Sequence, residues 1–232
     1  HGQRAYRQDG EVVGVWGKDA PRRTFGDNHW KQPAKWNRQA HREGRRHKVF
    51  CSSMTDVFLD DRVIAAELAK LWPVIRSTPW LDWQLLTKRP ERIAGSLPDD
   101  WDQGFPNVWL GTSIESNDYA SRADHLRNIP AVVRFISYEP ALGPLDKLNL
   151  AGLDWIIYGG ESGNGSKNYR PEDKQWARDM HFRCSAGGVA FFHKQSAGIR
   201  TETGIELDGK IVRHFPIPRR VRSRDSRQRK MI

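Results

Sequence analysis

Short apolar runs recur along the chain, and each is followed by a cluster of small polar or charged residues. Six runs stand out: Val49–Cys51, Trp83–Leu86, Val108–Leu110, Val132–Ile136, Trp155–Tyr158 and Val189–His193. They are nearly continuous in apolar character rather than alternating, which is typical of parallel strands covered on both faces. Their ends are far enough apart along the chain for crossover connections, so the pattern predicts six βα units.

The segments between these runs predict two helices and a hairpin. The first helix has an apolar stripe formed by Ile64, Leu68, Leu71 and Ile75. We expect Pro73 to bend or shorten its last turn. A second helix should begin at Pro171, which is followed by two acidic residues, and stop at Gly187 and Gly188. Residues 139–154 leave little room for a helix, and residues 205–212 alternate about Asp208-Gly209 as a two-residue hairpin does.

Together these elements predict an α/β fold, a partial or complete parallel (β/α) barrel. A chain of 232 residues suits one such domain. We expect residues 1–47 to be a basic, Trp-rich segment that packs on the core, with no strand assigned there. Residues 48–200 should form the barrel-like core, residues 201–218 the hairpin, and residues 219–232 a disordered basic tail.

Polar residues follow every apolar run, and the carboxyl ends of parallel strands share one edge of a barrel. The residues expected at this edge to act in catalysis are Lys88, Glu115, Glu139 and Glu161. Those expected to bind a cofactor or substrate are Ser53, Asp56, Thr87, Arg89, Thr112, Ser137, Gly160, Ser162, Lys194 and Gln195. The cations can neutralise a phosphate or carboxylate, and the carboxylates can transfer protons. Taken singly, each residue could equally be a helix cap or a solvated surface group, and His193 is a secondary candidate base.

Charge and composition narrow the choice of function class. No apolar run approaches the roughly 18 residues that a membrane span needs, so a membrane partner is not expected. The net charge is +10, of which the last fourteen residues supply +6, from seven Arg and Lys residues against Asp225. Trp16, Trp30 and Trp36 are interleaved with cations, a mixture that could bind nucleic acid or anchor the segment to the core. Two widely separated cysteines, Cys51 and Cys184, favour reduced thiols in a cytoplasm.

Several motifs together resemble a phage-associated protein family of unknown function, whose fuller members look like radical S-adenosylmethionine enzymes. The matching stretches are WKQPAKWN at 30–37, VFCSSMTDVF at 49–58, LLTKRP at 85–90, NVWLGTSIE at 107–115, RFISYEPALGP at 134–144, DWIIYGGESG at 154–163 and GVAFFHKQ at 188–195. The resemblance implies a radical-SAM-like partial barrel with its site at the carboxyl edge, in the cytoplasm of a bacterial host.

The resemblance also implies two cofactors, S-adenosylmethionine and a [4Fe–4S] cluster. In fuller members a three-cysteine segment near the start holds the cluster. This chain has no such segment, and neither Cys51 nor Cys184 matches it. Two explanations stay open: a sequence that begins after the segment, which His1 and the missing initiator Met favour, or a natural variant without it.

Three hypotheses for function follow from the sequence. The first is a radical-SAM-like enzyme, acting on a nucleic acid or nucleotide, whose cluster-binding segment is absent from this chain. The second is a non-catalytic nucleic-acid-binding protein that uses the basic tail and the Trp/Arg-rich amino-terminal segment. The third, phosphoryl or glycosyl chemistry at the same edge without a metal, has no distinguishing motif.

Overall fold

A computed structural model describes residues 6–8, 11–13, 26–51, 55–163, 165 and 167–220. The strands are β1 (Tyr6–Gln8), β2 (Glu11–Val13), β3 (His47–Cys51), β4 (Leu81–Thr87), β5 (Val108–Ser113), β6 (Val133–Tyr138), β7 (Trp155–Gly159), β8 (Ala190–Gln195), β9 (Glu206–Leu207) and β10 (Lys210–Ile211). The helices are α1 (Asp27–Trp30), α2 (Gln32–Glu43), α3 (Arg62–Ser77), α4 (Arg122–Arg127) and α5 (Lys174–Gly187). Ser53 and the tail beyond residue 220 lie outside the described residues.

The six predicted runs form one parallel sheet, in the order β3-β4-β5-β6-β7-β8. Every neighbouring pair in this sheet is parallel, and the sheet curls into a half-barrel. Chain order and spatial order coincide, so all six carboxyl ends lie along one edge. The α/β class and the partial parallel barrel are therefore confirmed.

The connections differ from the prediction in three places. The helix α3 continues past Pro73 to Ser77, so the proline does not shorten it. The helix α5 begins at Lys174, not at Pro171, because the Asp173 carboxylate caps it by accepting a hydrogen bond from the Gln175 backbone N–H. Between β4 and β5 the described residues form only two short 3₁₀ turns. This crossover therefore lacks a full helix, as does the crossover before β7.

Side chains alternate between the two faces of the sheet, and each face packs in its own cluster. On one face, strand residues such as Leu85, Leu110 and Ile156 pack with residues of α3, α4 and α5. On the other face, Trp109, Val133, Phe135, Trp155 and Ile157 form a separate buried cluster. Helices cover the outside of a (β/α) barrel, so the second cluster lines the concave face.

The hairpin packs on the helix-side core, where Leu207 is buried, and the segment after it reaches the concave face. The strands β9 and β10 pair about Asp208-Gly209, as the sequence predicts, and both turn residues have positive φ. Phe192 of β8 then forms an antiparallel bridge with Arg213. We call residues 213–219 the carboxyl-terminal strap. Its Phe215 ring lies 5.4 Å from the Trp155 ring, so the strap seals the concave cluster at the end opposite the polar edge.

The amino-terminal region is more regular than the sequence indicated. The strands β1 and β2 form an antiparallel pair that the sequence did not assign. The helix α2 is 12 residues long and buries Pro33 and Ala40 against the body of the protein. Trp30 packs against the helix-side core, whereas Trp36 is 40% exposed. No helix within the described part of the chain is long and apolar enough to cross a membrane.

Candidate functional site

Strand alternation divides the candidate residues between the two faces of the sheet. Residues whose numbers are both even or both odd within a strand have the same parity and lie on the same face of the sheet. Lys88 has the same parity as Leu86, which packs on the concave cluster. Ser137 and Lys194 share parity with Phe135 and Phe192 of that cluster. Thr87, Thr112 and Gln195 have the opposite parity and are buried towards the helices. Only part of the predicted set therefore faces the concave side at the carboxyl edge.

A buried carboxylate joins two cations at the end of β4 and β5. One oxygen of Glu115 is ion-paired with the Lys88 ammonium. Its other oxygen accepts a hydrogen bond of 2.9 Å from Arg122 Nη1, which also donates to the Ser113 carbonyl oxygen at 2.9 Å. The Glu115 side chain is only 7% exposed, whereas that of Lys88 is 53% exposed. Glu115 therefore holds Lys88 in place while about half of the lysine side chain stays exposed.

A second ion pair spans the strands β6 to β8 on the same face. Lys194 Nζ lies 3.1 Å from Glu139 Oε1, and the Ser137 hydroxyl donates to Glu139 Oε2 at 3.1 Å. The Glu139 side chain crosses the end of β7 at Gly159, where an added Cβ would lie 3.0 Å from Glu139 Cγ. A glycine at 159 is thus required for this approach. The Lys194 side chain is 45% exposed.

Asp56 organises the loop after β4 from the helix side. Its Oδ1 accepts a hydrogen bond from the Thr87 hydroxyl at 2.7 Å, and its Oδ2 accepts one from Arg89 Nη1 at 2.9 Å. The Thr112 hydroxyl donates to the Thr87 carbonyl oxygen at 2.9 Å. The polar groups of these predicted binding residues are hydrogen-bonded to one another. Their contacts support the edge and position Lys88.

The ends of β7 and β8 stay paired beyond the strands. Gln195 Nε2 donates to the Gly160 carbonyl oxygen at 3.0 Å, and Ser162 forms a parallel bridge with Gly198. Glu161, predicted to be catalytic, accepts hydrogen bonds of 2.5 and 3.0 Å from the Arg170 guanidinium. These hydrogen bonds lower the pKa of Glu161 to about 2. The structure therefore gives Glu161 an ion pair with Arg170, apart from the Lys88–Glu115 and Glu139–Lys194 pairs.

Sequence reasoning missed two residues, Arg122 at this edge and Gln84 in the middle of β4. Arg122 lies in α4, away from any strand end, and no pattern in the sequence indicated that it would contact Glu115. Gln84 lies inside an apolar run, where its polar side chain was itself the signal. On the concave face its register partners are Phe50 of β3 and Trp109 of β5.

His193 lies on the helix side, beside a cavity of about 360 Å³ whose lining includes Glu172 and Asp208. Its Nε2 is 3.1 Å from the Gly204 carbonyl oxygen, which can only accept, so Nε2 carries the proton. Its Nδ1 is buried with no hydrogen-bond partner. Burial lowers the pKa of His193 below its ordinary value. The ring is therefore neutral in the folded protein at neutral pH.

We expect the free energy of unfolding to decrease as the pH falls through about 6.5. Over that range His193 becomes protonated in the unfolded chain but stays neutral in the folded protein. In His193→Gln the amide can keep a hydrogen bond to the Gly204 carbonyl oxygen but cannot become charged. Between pH 7.5 and pH 5.5, the free energy of unfolding measured in urea should decrease less in the variant than in the wild-type protein, by up to about 1 kcal/mol. An identical loss in both proteins would show that His193 does not titrate in this range.

The described residues do not fit the iron–sulfur cluster that the family resemblance implies. Cys51 packs on the helix-side core, and burial raises the pKa of the Cys184 thiol to about 12. Within the described ranges, no group of three or more His, Cys, Asp and Glu side chains could hold a metal ion. These side chains therefore offer no set of thiolate ligands at the carboxyl edge.

Comparisons with known proteins give one relationship. No curated protein and no solved structure matched the chain. A family described as a protein of unknown function, DUF5131, matches residues 2–216. This match includes the whole half-barrel, the hairpin and most of the strap, but it connects the chain neither to phage proteins nor to radical S-adenosylmethionine enzymes. The chain therefore belongs to the DUF5131 family.

Proposed function

We propose that the concave carboxyl edge of the half-barrel binds a small phosphate-bearing ligand between Lys88 and Lys194. The observation that carries this proposal is the placement of two half-exposed lysine side chains, each ion-paired with a carboxylate, on the same face of one sheet. Each is held by one carboxylate that is much less exposed than the lysine. Fixed, partly desolvated cations are the groups that bind phosphate most strongly.

The ion pairs leave donors available for a ligand. An ammonium has three N–H donors. Lys88 donates one to Glu115, and Lys194 forms an ion pair with Glu139. Ser113, on the same face, makes no side-chain hydrogen bond within the described structure, so its hydroxyl can also reach the ligand. Glu115 and Glu139 orient the lysines before the ligand arrives, which reduces the entropy lost on binding.

We assign any acid–base step on the bound ligand to Glu139. Its carboxylate accepts a hydrogen bond from the Ser137 hydroxyl and is ion-paired with the half-exposed Lys194 side chain, so it lies beside a group that can contact the ligand. Glu161, by contrast, has its pKa lowered by Arg170 and suits an ion pair. Radical chemistry is not part of this proposal, because the described residues do not fit the cluster.

Nucleic-acid binding is a second candidate, and the surface of α2 supports it. Lys35, Arg38 and Arg42 lie at intervals of three and four residues on the exposed side of the helix. Among the residues that the structure describes, none of these three has a salt-bridge or side-chain hydrogen-bond partner. A stripe of unpaired cations beside the half-exposed Trp36 has the composition of a surface that contacts phosphates and stacks bases.

Isothermal titration with ribose 5-phosphate tests the first candidate. We expect Lys88→Ala and Lys194→Ala each to weaken binding about tenfold to a hundredfold, since each removes a charge-assisted hydrogen bond. The control is Lys70→Ala, which disrupts a Lys–Glu pair on α3 and should leave the affinity unchanged.

Two results would overturn this assignment: no binding of ribose 5-phosphate by the wild-type protein, or equal binding by all three variants. Titration with a single-stranded oligonucleotide distinguishes the second candidate. Salt-sensitive oligonucleotide binding that is unchanged in Lys88→Ala and lost when Lys35, Arg38 and Arg42 are replaced by alanine would favour the surface of α2.

A further inference from the structure

The geometry points to a nucleobase subsite on the concave face, formed by Phe50 and Gln84, so that the proposed phosphate-bearing ligand is a nucleotide. This inference rests on the function proposed above. Phe50 and Gln84 are register partners on adjacent strands β3 and β4, and their side chains therefore lie on the same face as neighbours.

Gln84 is a polar side chain buried without a hydrogen bond. The residue is 6% exposed, and its amide has no hydrogen-bond partner anywhere in the described structure. Buried amides are normally hydrogen-bonded, because leaving one unpaired costs about 1–3 kcal/mol. Within the described ranges, the side-chain nitrogen and oxygen atoms that are fully enclosed without a partner belong to Trp30, Trp109 and His193, so the Gln84 amide is not sealed off. It therefore has both a donor and an acceptor open to a ligand.

Phe50 provides an aromatic surface beside this amide. It is 45% exposed, although its neighbours Val49 and Cys51 both pack on the helix-side core. An exposed phenyl ring next to an unpaired donor and acceptor is the combination that binds a nucleobase, by stacking on its face and by hydrogen bonding to its edge. A simple sugar phosphate would satisfy neither group.

The distance from this subsite to the ammonium groups suits a mononucleotide. Gln84 lies within β4, and Lys88, the residue directly after β4, is four residues further along the chain on the same face, which corresponds to about 13 Å of extended chain. The ion pair with Glu115 fixes the Lys88 ammonium, so the Gln84 side chain and the ligand itself span that interval. The carboxyl edge then holds the phosphate while the base lies deeper, against Phe50 and Gln84.

The test compares ribose 5-phosphate with the 5′-monophosphates of adenosine, guanosine, cytidine and uridine, titrated into the intact chain. We expect the wild-type protein to bind at least one nucleotide tenfold or more tightly than ribose 5-phosphate. Gln84→Met should reduce that preference about tenfold, and Phe50→Ala should reduce it fivefold or more, with the affinity for ribose 5-phosphate unchanged in both. Leu86→Met, on the same face of β4, is the control and should retain the preference.

The Gln84→Met variant should remain folded, because the change removes an unpaired buried amide and should leave the unfolding temperature equal or higher. A wild-type protein without any nucleotide preference, or a preference that survives in both variants, would overturn the nucleobase subsite. If ribose 5-phosphate still binds in a Lys88-dependent manner, the proposed function stands although this inference fails. If the wild-type protein binds none of these compounds, both fail.

Discussion

Replacing Gly160 by alanine should lower the free energy of unfolding by about 3 kcal/mol. An added Cβ would lie 2.6 Å from the Ala197 Cα and closer still to its backbone nitrogen. Because these are backbone atoms, no side-chain rotation can relieve the overlap. The extensions of β7 and β8 would have to separate, and the hydrogen bond from Gln195 Nε2 to the Gly160 carbonyl oxygen would be lost.

Thermal unfolding measures this effect directly. For a chain of this size, 3 kcal/mol corresponds to a fall in melting temperature of about 6–12 °C. Gly95→Ala is the matched control, because a Cβ there would meet nothing within 4 Å. The control should change the melting temperature little. A Gly160→Ala protein that melts within about 1 °C of wild type would contradict the close packing of the two strand extensions.

Glu115→Ala should cost about 2 kcal/mol of unfolding free energy. The change leaves Lys88 and Arg122 next to each other with no anion between them, and Arg122 is only 22% exposed. Removing one partner of a fully buried ion pair costs about 3–5 kcal/mol, and the exposure of Lys88 reduces that figure. Glu115→Gln retains the shape and one acceptor oxygen, so we expect a smaller loss from it.

The melting temperature of Glu115→Ala should fall by about 4–8 °C. Glu43→Ala provides the comparison, because that residue pairs with Arg45 and His47 at the surface, where ion pairs contribute little. Equal, small changes in both variants would show that the Glu115 cluster does not stabilise the fold. In that case the fixed position that we assign to Lys88 would lose its basis.

The sheet could be predicted from sequence because its signal is local. Buried parallel strands need continuous apolar runs, and the six runs kept their order and direction in space. The hairpin at Asp208-Gly209 was likewise evident from two residues. The start of α5 was missed because Asp173, not Pro171, supplies the cap, and both residues are common at helix starts.

The sequence did not indicate which candidate residues lie on which face of the sheet. Residues after a strand end converge on one edge, but which face each one takes depends on strand register and length. The run ending at Leu86 becomes a strand ending at Thr87, which turns Thr87 towards the helices and Lys88 towards the concave face. Arg122 reaches Glu115 from a different element, and no pattern at the strand ends could indicate that contact.

The carboxyl-terminal strap packs on apolar rings of the concave face that would otherwise favour self-association. The Trp155 indole N–H donates to the His214 carbonyl oxygen at 3.0 Å, and Arg219 forms a salt bridge of 2.8 Å with Asp154. A chain shortened before Arg213 would expose tryptophan rings and leave the outer border of β8 free to pair with another molecule. We therefore expect a chain shortened in this way to aggregate, rather than only to lose activity.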